Sequence, residues 1–261
     1  MAAGGVDGTG SHVLDDLAEL GFDYIELSLR DLMALDDRAF ASLRKRLDAS
    51  SIGCEACHNF FPDALRLTGE TADLAAALEY AGRAVARAGA LGAKAIVFGS
   101  SGAKNVPEGF PMDRAWAQIV ELLRGIDPFA RKAGLDIVIE PLNRRESNIV
   151  NTVEEGRRLT GEVGCGNIRL LADYYHVMLE REPLSHIGDA SNYLRHVHFA
   201  EVEGRSYPKE PNGDYSGFFE ALAKAGYQGR VSVEAFTTNF AADAARARDV
   251  LRPILAAVAA P

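Results

Sequence analysis

Short β-type runs alternate with helical segments along almost the whole chain, and this repeat restricts the fold more than any other feature. Seven runs have the apolar and β-branched composition of strands: residues 23–28, 53–58, 93–99, 135–140, 168–173, 194–199 and 229–234. Repeated β-α units indicate a parallel sheet with helices outside it. Eight such units close a barrel, and 261 residues is near the usual length of one.

The sequence therefore predicts an α/β fold, a single (β/α)8 TIM barrel that forms one domain over residues 1–261. The first strand is its weakest part. Ahead of the helical pattern at 11–20 only residues 2–6 are available, and they are poor strand material. We expect this strand to be short, irregular or missing; the alternative is that the natural protein starts upstream. We also expect residues 1–10 to be poorly ordered.

Residues typical of helix ends and interruptions occur in the helical segments between the strands. Thr152 and Glu155 have the spacing of a capping box at the start of a helix. The helical pattern at 112–133 contains Pro128, where we expect a kink or a break, because proline lacks the donor of one helical hydrogen bond.

Charge and hydropathy exclude several classes of function. The formal net charge is -9 with no long Lys/Arg run, which disfavours nucleic-acid binding. The start does not have the pattern of a signal peptide, and no stretch of 18 apolar residues would span a membrane. A cytoplasmic protein without a membrane partner is the default prediction.

The chain has three cysteines, Cys54, Cys57 and Cys165. A small, odd number argues against a disulfide framework. Cys54 and Cys57 fall in one predicted strand, where regular alternation would turn them to opposite faces. We interpret them as small buried apolar side chains.

The last four predicted strands end in Glu140, Asp173, His198 and Glu234. Active sites of TIM barrels lie at the C-terminal ends of the strands, so these side chains are expected to meet at the mouth. Three carboxylates would repel one another in a cleft unless a cation neutralised them. The donor set predicts one divalent metal ion, Mn²⁺ before Mg²⁺ or Co²⁺, and suits structural zinc less well.

Glu140 and Glu234 would approach the mouth from roughly opposite sides of the ring, since three strand steps separate them. A substrate bound between them would meet a carboxylate on each face. This arrangement predicts proton removal on one face and return on the other, next to a carbonyl that the metal polarises.

At these residues the chain resembles the xylose-isomerase-like TIM-barrel superfamily, and within it ketose 3-epimerases of the D-tagatose and D-psicose type. The resemblance runs from about residue 21 to the end. Its motifs are Glu140-Pro-Leu-Asn-Arg-Arg-Glu146, Asp173-Tyr-Tyr-His176, His196-Val-His198 followed by Arg205, and Ser232-Val-Glu234.

The resemblance implies an isomerase: a sugar epimerase or aldose–ketose isomerase that works through an enediolate. It implies that Glu140, Asp173, His198 and Glu234 hold the metal, with Glu140 and Glu234 also the catalytic pair. It further implies that His176 and Arg205 contact the substrate, that Glu146 hydrogen-bonds near the catalytic glutamate, and that the protein is a homodimer or homotetramer.

Other side chains have weaker signals. His58 ends the third predicted strand of the barrel and is a candidate for substrate binding, with a packed loop histidine as the alternative. Glu26, in the strand before it, could point into the barrel. Ser100 and Ser101 could hold a substrate oxygen or shape a turn.

Three other functions stay open. A lyase acting on an oxidised sugar or glycoside could use the same base and metal. An endonuclease IV-like nuclease would need three zinc ions and further His and Asp ligands. A non-catalytic sugar-binding protein would be expected to have lost one of the paired glutamates, and both are present.

Overall fold

The computed structural model describes residues 8–210 and 215–258. Its strands form one seven-stranded sheet in the order β1-β2-β3-β4-β5-β6-β7, and all neighbours are parallel. The strands are β1 Tyr24–Ser28, β2 Gly53–His58, β3 Ala95–Phe98, β4 Asp136–Ile139, β5 Ile168–Asp173, β6 Leu194–Phe199 and β7 Arg230–Val233. All seven predicted strands are therefore present.

Helices connect the strands and cover the outside of the sheet. They are α1 Leu14–Glu19, α2 Leu29–Ala34, α3 Asp37–Ala49, α4 Leu74–Ala90, α5 Ser101–Lys104, α6 Met112–Ala133, α7 Val153–Val163, α8 Tyr174–Leu179, α9 Ser185–Asp189, α10 Ser216–Lys224 and α11 Phe240–Val258, with short 3₁₀ turns at Ser11–Val13 and Glu203–Arg205. This nearly closed ring of strands with outer helices confirms the TIM barrel prediction.

The predicted first strand, residues 2–6, lies outside the described residues. Gly8–Gly10 belong to the segment predicted to be poorly ordered, and in the structure Thr9 is buried while its carbonyl accepts a hydrogen bond of 3.0 Å from the Ser28 amide. The chain just before α1 therefore runs beside the end of β1.

Side chains link the two ends of the described sheet. The Tyr24 hydroxyl lies 2.7 Å from Ser232 Oγ, which joins β1 to β7. Arg230 of β7 donates two hydrogen bonds of 2.7 Å to the Glu55 carboxylate of β2. We call this region, between β1 and β7, the seam.

The barrel interior is apolar on one side and polar on the other. Below the mouth, the inward-facing positions of β2 to β5 form a small apolar cluster of Ala56, Ala95, Val97, Val138 and Leu171. The inward positions near the seam are instead Glu26, His196 and Ser232, which are all buried. Polar groups that lie this deep need hydrogen-bond partners.

A β-bulge in β2 changes which way its side chains face. Ile25 pairs with Cys54, but Glu26 pairs with Ala56, so Glu55 is an extra residue. The prediction that Cys54 and Cys57 face opposite sides is wrong, because the bulge turns both toward the helices, with their sulfur atoms 3.8 Å apart. Both thiols are buried, in line with their interpretation as small core residues.

Two local predictions for helices have different outcomes. Thr152 caps α7 by accepting from the Glu155 amide at 3.1 Å, while the Glu155 carboxylate accepts from the Asn151 amide at 2.6 Å. A kink or a break was predicted at Pro128, and the break is absent, since α6 is continuous through it. Its buried stripe, which includes Ile126 and Ala130 on either side of Pro128, packs on the core and offsets the missing hydrogen bond.

Candidate active site at the barrel mouth

The four side chains predicted to hold a metal meet at the mouth of the barrel. One candidate ligand atom from each of Glu140, Asp173, His198 and Glu234 lies within 4.8 Å of the others. Each side chain occupies an inward position at or just after the end of its strand. The amides of Glu140 and Glu234 still donate to Phe98 and Phe199 of the neighbouring strands, at 3.2 and 3.0 Å, so the sheet fixes both backbones.

His198 is at the centre of this group. Its Nδ1 lies 3.0 Å from Glu140 Oε1 and 2.8 Å from Glu234 Oε2. Its Nε2 lies on the other edge of the ring, 3.0 Å from Glu26 Oε1. The ring is fully buried, so these carboxylates define its surroundings.

Asp173 provides the observation that best tests whether a cation fits this group. Its Oδ1 caps α8 by accepting from the Tyr175 amide at 2.8 Å. Its Oδ2 is buried and has no hydrogen-bond partner within the described part of the chain. A buried carboxylate oxygen without a donor is costly, and a cation would satisfy it. Three carboxylates and one imidazole nitrogen are also a donor set for a divalent metal, so these residues fit such an ion.

The electrostatics of the group separate the two glutamates. Burial raises the pKa of Glu140, and the negative charge of Glu234 raises it further. Burial acts in the same direction on Glu234, but His198 and Arg205 outweigh it and hold the pKa of Glu234 below its usual range. Burial and both glutamates raise the pKa of Asp173 to about 7. The surroundings of the two glutamates thus push their pKa values apart, as they do in acid–base pairs.

Arg205 closes one side of the mouth. Its guanidinium donates to Glu234 Oε2 at 2.9 Å and to Glu146 Oε2 at 3.4 Å, and it lies over the Tyr175 ring at 4.8 Å. Glu146 thus reaches the site through Arg205; its other oxygen accepts from the Asn143 side chain at 2.9 Å.

His176 has a defined tautomer. Its Nδ1 accepts from the Asn143 amide at 3.1 Å, so in the neutral ring the proton is on Nε2. Burial and the charge of Arg205 lower the pKa of His176 to about 3, which keeps the ring neutral. Nε2 lies 3.5 Å from Asp173 Oδ2 and has no hydrogen-bond partner among the described residues, so a donor faces the mouth.

His58 lies at the end of β2, in the N-terminal half of the barrel. It is buried, and its Nδ1 lies 3.8 Å from Glu26 Oε1 without a hydrogen bond in the described chain. Burial lowers the pKa of His58 to about 4, so the ring is neutral. The structure thus brings His58, His176, Arg205 and Glu146 to the same mouth as the four candidate metal ligands.

A family match accompanies this geometry. Residues 14–254 match the family described as "Xylose isomerase-like TIM barrel". The chain belongs to the xylose isomerase-like TIM-barrel family. The resemblance indicated by the sequence motifs is therefore confirmed.

Several members of the family are similar over most of the chain. An L-ribulose 3-epimerase of Mesorhizobium japonicum is 27% identical over 227 residues, which are 87% of this chain and 75% of that protein. A D-psicose 3-epimerase of Agrobacterium fabrum is 28% identical over 228 residues, 85% of this chain and 78% of that protein. These relatives are epimerases, so the prediction of an isomerase-class enzyme is confirmed.

A solved structure of D-allulose 3-epimerase from Methylomonas sp. superposes with a TM-score of 0.84 at 24% identity and covers 94% of this chain and 91% of that chain. At this identity the likeness shows the shared fold alone. Among the described helices, none combines the length and the apolar composition that crossing a bilayer needs.

Sequence reasoning missed two features of this member of the xylose isomerase-like family. Lys104 is fully buried and donates from Nζ to the Glu140 carbonyl at 3.2 Å, and burial lowers the pKa of Lys104 to about 8. Gly99 lies against Glu140, since a Cβ there would overlap the Glu140 carboxylate. Neither has a local sequence signal, because both depend on contacts between the segment that follows β3 and Glu140, just after β4.

Proposed function

We propose that the chain is a ketose 3-epimerase that uses one divalent cation, preferably Mn²⁺, held by Glu140, Asp173, His198 and Glu234. The observation that carries this proposal is the approach of the four ligand atoms to within 4.8 Å of one another. The relatives named as 3-epimerases of L-ribulose and D-psicose support a small ketose as the substrate.

The two glutamates divide the proton transfer. Glu140 follows β4 and Glu234 follows β7, on different sides of the mouth, so in one direction Glu234 is the base and Glu140 the acid. Glu234 takes the proton from C3, and the electron pair moves into the adjacent carbonyl. Glu140 then protonates C3 on the opposite face. The two carboxyl groups afterwards exchange protons with solvent, and the reverse reaction exchanges their roles.

The cation would polarise the carbonyl next to C3 and favour the enediolate, which is worth several kcal/mol in comparable enzymes. Four other side chains bind and orient the sugar in this proposal. His176 offers its Nε2 hydrogen to a substrate oxygen, and Arg205 offers its guanidinium. Glu146 holds Arg205 in place, and His58 contacts the sugar from the N-terminal side of the mouth.

Solvent exchange during turnover tests the proposal. The purified chain is incubated with Mn²⁺ in D₂O with a panel of five- and six-carbon ketoses that includes L-ribulose and D-psicose. We expect an epimer carrying one deuterium at C3, loss of activity after chelation, and recovery when Mn²⁺ is added back. Absence of exchange with every ketose would contradict the epimerase, and activity that survives chelation would contradict the metal.

The same experiment separates the lyase alternative, because elimination would give an unsaturated or cleaved product. Neither the nuclease nor the non-catalytic alternative is favoured by the named relatives. The cytoplasmic location and the homodimer or homotetramer stay predictions.

A further inference from the structure

His198 uses both of its ring nitrogens, and they face different environments. Nδ1 faces the mouth and the candidate metal ligands Glu140 and Glu234. Nε2 faces down into the barrel, 3.0 Å from Glu26 Oε1. A neutral imidazole has one proton, so one nitrogen donates a hydrogen bond while the other offers a lone pair.

We propose that Glu26 is a positioning residue for the metal site: it accepts the hydrogen bond from His198 Nε2 and so keeps the Nδ1 lone pair turned to the cation. This inference rests on the proposed metal-dependent function. Carboxylates that hold the second nitrogen of a ligating histidine fix its tautomer and orientation and raise its affinity for metal.

The position of Glu26 supports a dedicated role. It comes from β1, whereas the four candidate ligands come from β4 to β7, and it lies in the layer below the mouth. The side chain is 3% exposed. Burying a carboxylate is expensive, and the apolar cluster on the other side of the barrel shows that this layer can be filled without charge.

Glu26 itself is held in place by a second set of hydrogen bonds. Its Oε2 accepts from Ser232 Oγ at 2.5 Å and lies 3.0 Å from His196 Nε2. Ser232 Oγ in turn lies 2.7 Å from the Tyr24 hydroxyl across the seam. The orientation of Glu26 is thus fixed from β1, β6 and β7 together.

Glu26, His196 and His198 could also be read as a second metal site, since their candidate ligand atoms lie within 4.8 Å of one another. Hydrogen bonding argues against this interpretation. Both Glu26 oxygens have partners, whereas Asp173 Oδ2 at the mouth has none within the described chain. Glu26 therefore orients its neighbours, whereas the mouth retains a carboxylate oxygen without a hydrogen bond that can bind a cation.

Metal affinity tests the inference directly. Mn²⁺ binding to the purified full chain is measured by titration calorimetry for the wild type, Glu26→Ala and Glu26→Gln. We expect Glu26→Ala to weaken binding by about 10- to 100-fold. Glu26→Gln retains an oxygen acceptor and should lose less, so it also serves if the alanine variant does not fold.

Glu55→Gln is the matched control. Glu55 is also a glutamate of the N-terminal strands, and its hydrogen bonds to Arg230 likewise cross the seam. It has no described contact with His198, so its substitution should change the dissociation constant for Mn²⁺ by less than about twofold.

A second readout separates positioning from a merely structural role. The hydrogen on His198 Nε2 is observed by ¹H–¹⁵N NMR of the Mg²⁺-loaded protein, with His196→Gln used for assignment. We expect the downfield resonance of a hydrogen bonded to a carboxylate in the wild type, and an upfield shift of this resonance in Glu26→Ala. A structural role alone would lower thermal stability and leave this resonance unchanged.

Three results would overturn the inference. Equal Mn²⁺ affinity of wild type and Glu26→Ala would remove the role of Glu26 and leave the proposed function intact. Two metal ions per wild-type chain would make Glu26 a ligand. A wild type that binds no divalent cation would refute the metal-dependent function, and the positioning role with it.

Discussion

The two halves of the barrel mouth are built from the same kind of strand but carry different chemistry. In the C-terminal half, β4 to β7 end in the four candidate metal ligands, all buried or nearly so. In the N-terminal half, β1 ends in Ser28, which donates to Asp31, β2 ends in His58, and β3 is followed by Gly99. At the strand ends, the N-terminal half thus contributes uncharged residues, whereas the C-terminal half contributes the charged ones. Because the strands are parallel, all of them end at the mouth, and the residue type at each strand end determines what that position contributes to the site.

The largest expected effect lies in the C-terminal half. Glu140→Gln and Glu234→Gln keep the shape of each side chain and remove its proton transfer, so kcat should fall by about 10²- to 10⁴-fold. Turnover is measured at saturating Mn²⁺, with the metal content of each variant determined. Glu55→Gln, in the N-terminal half, should remain within about twofold of the wild type. If either glutamine variant kept more than a tenth of the activity, the acid–base pair would be wrongly assigned.

Lowering the pH should weaken Mn²⁺ binding by the residues of the C-terminal half. Asp173 has a pKa raised to about 7, and burial of His198 is outweighed by Glu26 and Glu234, which raise the pKa of His198. Protons therefore occupy both candidate ligands at pH 6, and in the proposed site they must leave when a cation binds. We expect the Mn²⁺ dissociation constant to rise by about 10- to 100-fold between pH 8 and pH 6.

The corresponding effect on stability has a definite sign. The raised pKa of Asp173 stabilises the metal-free fold below the unfolded pKa of about 3.9, and this contribution is lost as pH rises through about 7. The increase in Tm on adding Mn²⁺ should therefore be larger at pH 8 than at pH 6. Calorimetry in two buffers with different ionisation enthalpies counts the protons released. Affinity that is flat across this range would contradict the assignment of Asp173 as a ligand.

The smallest expected effect lies in the N-terminal half. His58→Ala should raise KM by about 3- to 10-fold and leave kcat and Mn²⁺ affinity nearly unchanged, because it removes one neutral hydrogen bond worth about 1 kcal/mol. Steady-state kinetics on the best ketose measures the split. His58→Gln retains a donor and should recover part of the loss. A fall in kcat beyond about 100-fold would place the chemistry in both halves and end the distinction between them.

The sequence was most informative where one rule governs both the fold and the site. The β-α repeat predicted the strands, and the TIM barrel rule then placed Glu140, Asp173, His198 and Glu234 together, because parallel strands end at a common mouth. Simple alternation also explains why His198 faces inward, two residues after His196.

Features that depend on contacts between strands were not predictable in this way. The bulge at Glu55 leaves no local mark in the sequence, so regular alternation gave the wrong faces for Cys54 and Cys57. The fit of Gly99 to the Glu140 carboxylate and the buried Lys104 behind it exist only once β3 and β4 are paired.

That single extra residue in β2 has a consequence for how such a mouth can change. In an unbroken strand Glu55 would enter the barrel beside Glu26, and His58 would point to the helices. The bulge keeps the two acids apart and turns the His58 imidazole inward at the mouth instead. One inserted residue exchanges the inward- and outward-facing positions that follow it in a strand. It can thus alter a surface as much as the substitution of an amino acid does.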